Sequence, residues 1–227
     1  MNVQFTGVPP TSVEVERLRL LLSTYQDGTG QQVINQQGDT IPNWRDFERS
    51  VALAFKGIAQ ESKAVCDVIV PNQKPLERAF GISCKMRSEP RQIYSKGIIY
   101  VKVSNASGDF WNAVRQAGVY TTLEMGSNAT EAGNAILGLV QTWHNSQKTY
   151  LDVAKSYYLV LQYDMNKLHY QLFQLPLELP DPLSLEWEVR YSKRKENSGS
   201  LIVDILSRLK TGRFLGYRTI VRVYLLS

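Results

Sequence analysis

The sequence predicts a protein of the α/β or α+β class, and three observations predict it. Apolar residues recur at helical spacing behind capping signals near residues 11–25, 43–58, 107–119 and 128–147. Between the second and third of these lie two short runs rich in β-branched residues. They are Val65-Cys66-Asp67-Val68-Ile69-Val70 and Gly81-Ile82-Ser83-Cys84-Lys85-Met86, separated by a Pro/Asn/Gln/Lys segment. Beyond residue 157 the chain is mostly strand-like, and at 227 residues it has room for one large domain or a core with a small appendage.

Near the start, Thr11-x-x-Glu14 is a capping box for a helix to about Tyr25, with Val15, Leu18, Leu21 and Leu22 on one side. The Gln-rich segment after Gly30 forms a loop or short hairpin. Asn43 caps a second helix whose apolar stripe is Trp44, Phe47, Val51, Ala54, Phe55 and Ile58, with Glu48 at its border. The two short strands come next, then a third strand at Ile98 to Val103. Ser107 or Asp109 starts a helix through Phe110, Trp111 and Val114, and Asn128-x-x-Glu131 opens another to about Gln147. Strands Tyr157–Tyr163 and Leu168–Phe173 flank the turn Asp164-Met165-Asn166. Strand-like segments at 185–191, 201–209 and 217–226 complete the chain. The Pro-rich stretch 175–183 divides a core, residues 1–180, from a basic β-rich C-terminal part, residues 181–227.

Composition excludes several classes. Hydrophobic content of 43% and a mean hydropathy of −0.25 are those of an ordinary globular protein. No apolar run reaches the roughly 18–20 residues of a membrane span. The start MNVQFTGVPP has neither a basic n-region nor an apolar h-region, so secretion is not expected. The two cysteines both fall in the strand pair, which suits a reducing cytoplasm, and neither they nor His144 and His169 have zinc-ligand spacing.

The strand pair carries the chemistry. Each run holds a charged residue that a buried strand tolerates only with a partner. Side chains alternate, so Ser83 and Lys85 share one face, Asp67 stands beside them, and Cys66 and Cys84 turn together to the other. A carboxylate and an ammonium at adjoining strand ends suit a hard cation and an activated water. The alternatives are structural: Asp67 as half of a strand ion pair, Lys85 as a snorkelling side chain, Glu48 as an ordinary helical acid.

These segments resemble the PD-(D/E)XK nuclease superfamily, and within it the type II restriction endonucleases. The matching residues are Glu48 in the leading helix, Asp67 on the first strand, and Ser83-Cys84-Lys85 for the (D/E)-X-K motif. The likeness covers roughly residues 40 to 120. It implies a restriction-endonuclease-like core, a central mixed sheet flanked by helices, and a site-specific deoxyribonuclease that hydrolyses phosphodiesters in double-stranded DNA. It further implies Mg²⁺ held by Asp67 and the Cys84 carbonyl, with Lys85, Ser83 and Glu48 completing the catalytic set. A homodimer and a companion DNA methyltransferase are the partners it implies. Ser83 departs from the pattern where an acid is usual; Glu48, Glu89, Glu124 or Glu131 would then bring the second carboxylate. The alternative functions are a repair or junction-resolving nuclease and an inactive DNA-binding module.

Charge distribution points the same way. From residue 187 onward there are nine Lys and Arg against three acids, whereas residues 1–186 carry 17 against 18. Such a surface suits a phosphate backbone. Arg190, Lys193, Arg194 and Lys195, interleaved with Trp187 and Tyr191, read as a DNA-facing ribbon. Arg87, Gln116 (in the QxxxY-like Gln116–Tyr120) and Arg213 complete the expected DNA contacts.

Overall fold

The structure is a computed structural model. It describes residues 10–24, 32–34, 40–60, 65–72, 77–87, 107–164, 169–179, 181–182, 185–193, 201–209 and 222–226. The chain divides into two units. The first comprises residues 1–101, 146–178 and 219–227; the second comprises residues 102–145 and 179–218.

The first unit opens with α1 (Ser12–Ser23), whose N-terminus is closed by the reciprocal capping box of Thr11 and Glu14. A small hairpin of β1 (Gln32–Ile34) and β2 (Thr40–Pro42) comes next. Asn43 caps α2 (Trp44–Ala54), with Asp46 returning a bond to the Asn43 N–H. Helix α2 buries Phe47, Val51, Ala54 and Phe55 as its spacing predicts. The ends of the predicted stripe do not join them. Trp44 is exposed, with the Arg45 guanidinium 4.7 Å from its ring centroid, and Ile58 has already left the helix for β3 (Ile58–Ala59).

The central sheet then forms from β3, β4 (Val68–Val70), β5 (Phe80–Arg87), β6 (Tyr157–Asp164), β7 (His169–Pro176) and β10 (Arg222–Leu226), in the order β10-β7-β6-β5-β4-β3. Among the described strands of this sheet only β5 and β6 run parallel, so the sheet is mixed. Parallel neighbours require a long crossover, which residues 88–156 supply. The expected coarse class, α+β with a mixed central sheet and helices against it, is therefore present. Leu18 and Leu22 of α1 and Phe47 and Val51 of α2 meet Val68, Ile82, Cys84, Tyr157, Leu159 and Leu161 in one core. Alternation along β5 and β6 sets the two faces. Ile82 and Cys84, with Tyr157, Leu159 and Leu161, point to the helices, which leaves Ser83, Lys85, Tyr158 and Val160 for the opposite face.

The second unit holds α3 (Ser107–Gln116), α4 (Thr122–Ser127), most of α5 (Ala129–Gln147), and a two-stranded hairpin of β8 (Leu185–Lys193) and β9 (Leu201–Leu209). Val114, Val119, Met125 and Ala132 form its buried cluster. Trp187 lies against Gly133, where any Cβ would collide with the indole, and donates to Asn134 Oδ1 at 3.0 Å. This tryptophan anchors the hairpin on its helix. Helix α4 was not predicted, although Thr121-x-x-Glu124 forms a full capping box ahead of it. The expected strand at 98–103 lies outside the described residues. The segment expected at 217–226 yields β10, which pairs antiparallel with β7 rather than with the basic hairpin. Among the described residues no helix is long and apolar enough to cross a membrane.

Candidate metal and catalytic site

The site begins with the register of the two short strands. Antiparallel pairing sets Val68 opposite Ile82, Ile69 opposite Gly81 and Val70 opposite Phe80. Just before β4, Asp67 is fixed through its own backbone: its N–H donates to Ile82 O at 2.9 Å and its carbonyl accepts from Gln60 N at 2.8 Å. The Asp67 side chain then meets three groups of β5. Its Oδ2 accepts from the Cys84 N–H at 2.6 Å and from Ser83 Oγ at 3.3 Å, and lies 3.6 Å from Lys85 Nζ. Lys85 Nζ also donates to Ser83 Oγ at 2.8 Å.

The structure therefore brings together Asp67, Ser83, Cys84 and Lys85. The charged pair is neither fully exposed nor sealed, with side-chain exposures of 23% for Asp67 and 24% for Lys85. Ser83 is buried, its hydroxyl taken up by the ions on either side, so it is no nucleophile for an outside substrate. Among the described residues all of these contacts fall on Oδ2, and Oδ1 is the carboxylate oxygen left to a cation. In an extended strand a residue's N–H and C=O face the same edge. The Cys84 carbonyl therefore faces the Asp67 side along with its N–H.

Glu48 is buried on α2, on the side of the sheet that Cys84 faces. Burial pushes the Cys84 thiol well above its ordinary value; the negative charges of Asp67 and then Glu48 add to this, and the Lys85 cation opposes it. Burial likewise raises Cys66 from 9.0 to about 12, with Asp67 adding and Lys85 opposing. Both thiols stay protonated near neutral pH and serve as neither thiolate ligands nor nucleophiles.

The two cysteines do not turn to one face together. Cys84 joins the core under α2, whereas Cys66 packs across Gly81, on the face that carries Ser83 and Lys85. The cause is local: β4 starts only at Val68, and the bend before it frees Cys66 from strand alternation. A Cβ on Gly81 would stand 2.8 Å from Cys66 Cβ and 3.0 Å from Leu151 Cδ1, so glycine is required there by close approach.

Among the described residues no group of three or more His, Cys, Asp and Glu side chains converges. A cation here would rest on one carboxylate, a main-chain carbonyl and water; of the acids expected from sequence, Glu48 is the one whose charge acts on Cys84. That oxygen set fits Mg²⁺, which keeps several waters and takes one or two carboxylates. Of the other proposed acids, Glu124 spends its carboxylate on the Tyr120 and Thr121 N–H groups, Glu131 is exposed on α5, and Glu89 lies outside the described residues.

The expected DNA contacts are scattered along the chain. Arg87 ends β5 in register with Gln162, and Gln116 is the exposed last residue of α3 in the second unit. In the β8–β9 hairpin Arg190 stands opposite Asp204, and Lys193 opposite Leu201. Arg194, Lys195 and Arg213 lie outside the described residues. One neighbour of the site was missed from sequence: Lys85 Nζ lies 5.9 Å from the centroid of the Tyr158 ring. Tyr158 is in register with Ser83. No family model, curated protein or solved structure matches this chain.

Proposed function

We propose that the protein is a Mg²⁺-dependent, site-specific endodeoxyribonuclease of the type II restriction kind, with a restriction-endonuclease-like core. The observation that carries this reading is the Asp67–Ser83–Lys85 cluster where the start of β4 meets the middle of β5, with the Asp67 contacts found among the described residues all on Oδ2, beside a held ammonium. In this reading Asp67, the Cys84 carbonyl and Glu48 hold the cation. Bound there, it supplies Lewis-acid stabilisation of charge on the phosphoryl oxygens.

The chain's own residues do the rest. Asp67 and Ser83 fix the Lys85 ammonium, and Lys85 hydrogen-bonds the attacking water and the scissile phosphate, a task for a compact cation with rotatable donors. Arg87, Gln116, Arg190, Lys193, Arg194, Lys195 and Arg213 contact the duplex, most of them at phosphates that set its position. Cutting both strands of a symmetric site calls for a homodimer. A restriction enzyme acting in the cytoplasm further requires a companion DNA methyltransferase to protect host DNA.

The test is incubation of the purified protein with unmethylated phage DNA, with Mg²⁺ and with EDTA. Discrete Mg²⁺-dependent fragments are expected. Asp67→Ala and Lys85→Ala should abolish them while leaving duplex binding by mobility shift largely intact; cutting retained in either variant removes the assignment.

A second reading, a DNA-binding module without catalysis, is favoured by one specific observation. Ser83 stands between Asp67 and Lys85 and closes them into a self-satisfied ion pair. Duplex binding with intact DNA under every Mg²⁺ condition would select it. Preferential cutting of branched over linear duplexes would instead select a repair or junction-resolving nuclease.

A further inference from the structure

We propose that Tyr158 is a positioning residue that holds the Lys85 ammonium by its ring face. The consequence for cleavage rests on the nuclease reading above, whereas the geometry does not. Sequence puts two tyrosines side by side at the start of β6, and strand alternation sends them to opposite faces. Tyr157 goes to the helix side, fully buried and stacked on Phe80 with centroids 6.0 Å apart. Tyr158 goes to the side of Ser83 and Lys85, where it is 5% exposed.

The parallel register of β5 and β6 sets the approach of the amine to the ring. Ser83 is paired with Tyr158 and Lys85 with Val160, so the lysine stem starts beyond the ring and its amine folds back toward it. Lys85 Nζ ends 5.9 Å from the Tyr158 centroid, within the range at which a ring's negative face attracts a cation. The ammonium is thus held from three sides: Ser83 Oγ at 2.8 Å, Asp67 Oδ2 at 3.6 Å, and the ring.

The chemical point lies in how these three differ. Ser83 takes an N–H bond in a defined direction, whereas Asp67 Oδ2, at 3.6 Å, is an ion-pair partner beyond hydrogen-bond reach. A ring face likewise attracts the charge without accepting such a directed bond, so ammonium donors are left for a water or a phosphate oxygen. An oxygen in place of the ring would draw one of those donors away. An aliphatic residue would leave the four-carbon stem free to swing into solvent. Being nearly buried itself, the ring is a fixed wall.

The experiment compares Tyr158→Phe, which keeps the ring face, with Tyr158→Leu, which removes it. In the native protein and in Tyr158→Phe, the Lys85 Cε proton resonance, identified by its loss in Lys85→Arg, is expected upfield of ordinary lysine positions. In Tyr158→Leu it is expected to return to them. Acylation of Lys85 by acetic anhydride, read by mass spectrometry, should be about 3-fold or more faster in Tyr158→Leu than in Tyr158→Phe. Should Tyr158→Leu fail to fold, pentafluorophenylalanine at 158 retains the ring's size while removing its negative face, and the same acceleration is expected. An ordinary Lys85 resonance in the native protein, or equal acylation rates across these variants, overturns the proposal. In DNA cleavage Tyr158→Leu should lose about 3- to 10-fold in kcat with KM little changed, and Tyr158→Phe should not. The resonance and acylation readouts need no cutting, so loss of the nuclease reading alone leaves them standing.

Discussion

Ser83 accepts a hydrogen bond from Lys85 Nζ at 2.8 Å, and the same hydroxyl donates to Asp67 Oδ2 at 3.3 Å. One buried oxygen thus bridges the cation and the anion of the site, which stand 3.6 Å apart. It also marks the spot where a second carboxylate would stand closest to the first.

That relationship makes Ser83→Asp a direct test of cation binding. Without a divalent ion, two carboxylates a few ångströms apart repel, and only part of this is offset by Lys85. The variant should melt below wild type in EDTA and recover with Mg²⁺. A ligand present at about 100 times its Kd stabilises by about 2.7 kcal/mol, ample for a shift of several degrees. Ser83→Ala, which adds no acid, should show no larger Mg²⁺ response than wild type. Thermal melts of the three proteins across a Mg²⁺ titration decide it, and a Ser83→Asp curve indifferent to Mg²⁺ removes the site as a cation holder.

The thiols give a pH prediction. Burial raises Cys66 from 9.0 to about 12 and raises Cys84 as well. A raised value means the folded state keeps its proton where the unfolded chain releases it. The linked stability is therefore complete below pH 9 and falls as pH climbs toward 12. At pH 8 neither thiol should react with a disulfide reagent until denaturant is added, after which both should. The alkaline loss of stability should be smaller in Cys66→Ala than in wild type. Fast titration of either thiol in the native protein contradicts the packing.

What could be read in the sequence, and what could not, divides along the range of the interactions involved. The helices at 12–23 and 44–54 were legible because Thr11, Glu14 and Asn43 act within one turn. The β4–β5 pairing was legible because turn residues bound two short β-branched runs, and that register alone carries Asp67 to Ser83 and Lys85. Cys66 was misplaced because alternation was extended into a bend, where it no longer holds. The Thr121–Glu124 box was present but overshadowed by Asn128-x-x-Glu131; in the structure Asn128 closes α4, its side-chain amide donating to Glu124 O at 2.9 Å. Tyr158 could not be found from sequence at all. Its place beside Lys85 depends on β6 returning parallel to β5 after a long crossover, a pairing that local pattern does not encode.

Gly81 and Cys66 form a second testable pair. Gly81→Ala drives a methyl into Cys66 and against Leu151, and the Gly81 N–H is held in place by Ser156 Oγ at 2.9 Å, so the strand has little freedom to retreat. Overpacking of this kind costs about 1–3 kcal/mol, and contact with Cys66 Cβ, an atom attached to the backbone, puts it toward the upper end. Cys66→Ala removes the sulfur, and the double variant should recover part of the loss. Urea unfolding of the two single variants and the double variant measures the coupling energy. Strict additivity would mean the clash is relieved elsewhere.

Lys56 carries the last prediction. Helix α2 ends with Gly57 N donating to Ala52 O at 2.8 Å and Lys56 N to Leu53 O at 3.4 Å, the two-bond ending that demands a left-handed residue between. Lys56 fills that position at φ 54°, where a side chain costs about 1–2 kcal/mol. Glycine removes the penalty but makes the unfolded chain more flexible, a loss of about 0.5–1 kcal/mol. The first effect is larger, so Lys56→Gly should stabilise by about 0.5–1 kcal/mol. Lys56→Asn should also gain, since asparagine tolerates this conformation better than lysine and loses less entropy than glycine. A β-branched residue suffers most there, so Lys56→Val should be less stable than wild type. The order of urea midpoints, with Gly and Asn above Lys and Lys above Val, is the check. A valine variant as stable as the native chain would show that the helix ends another way.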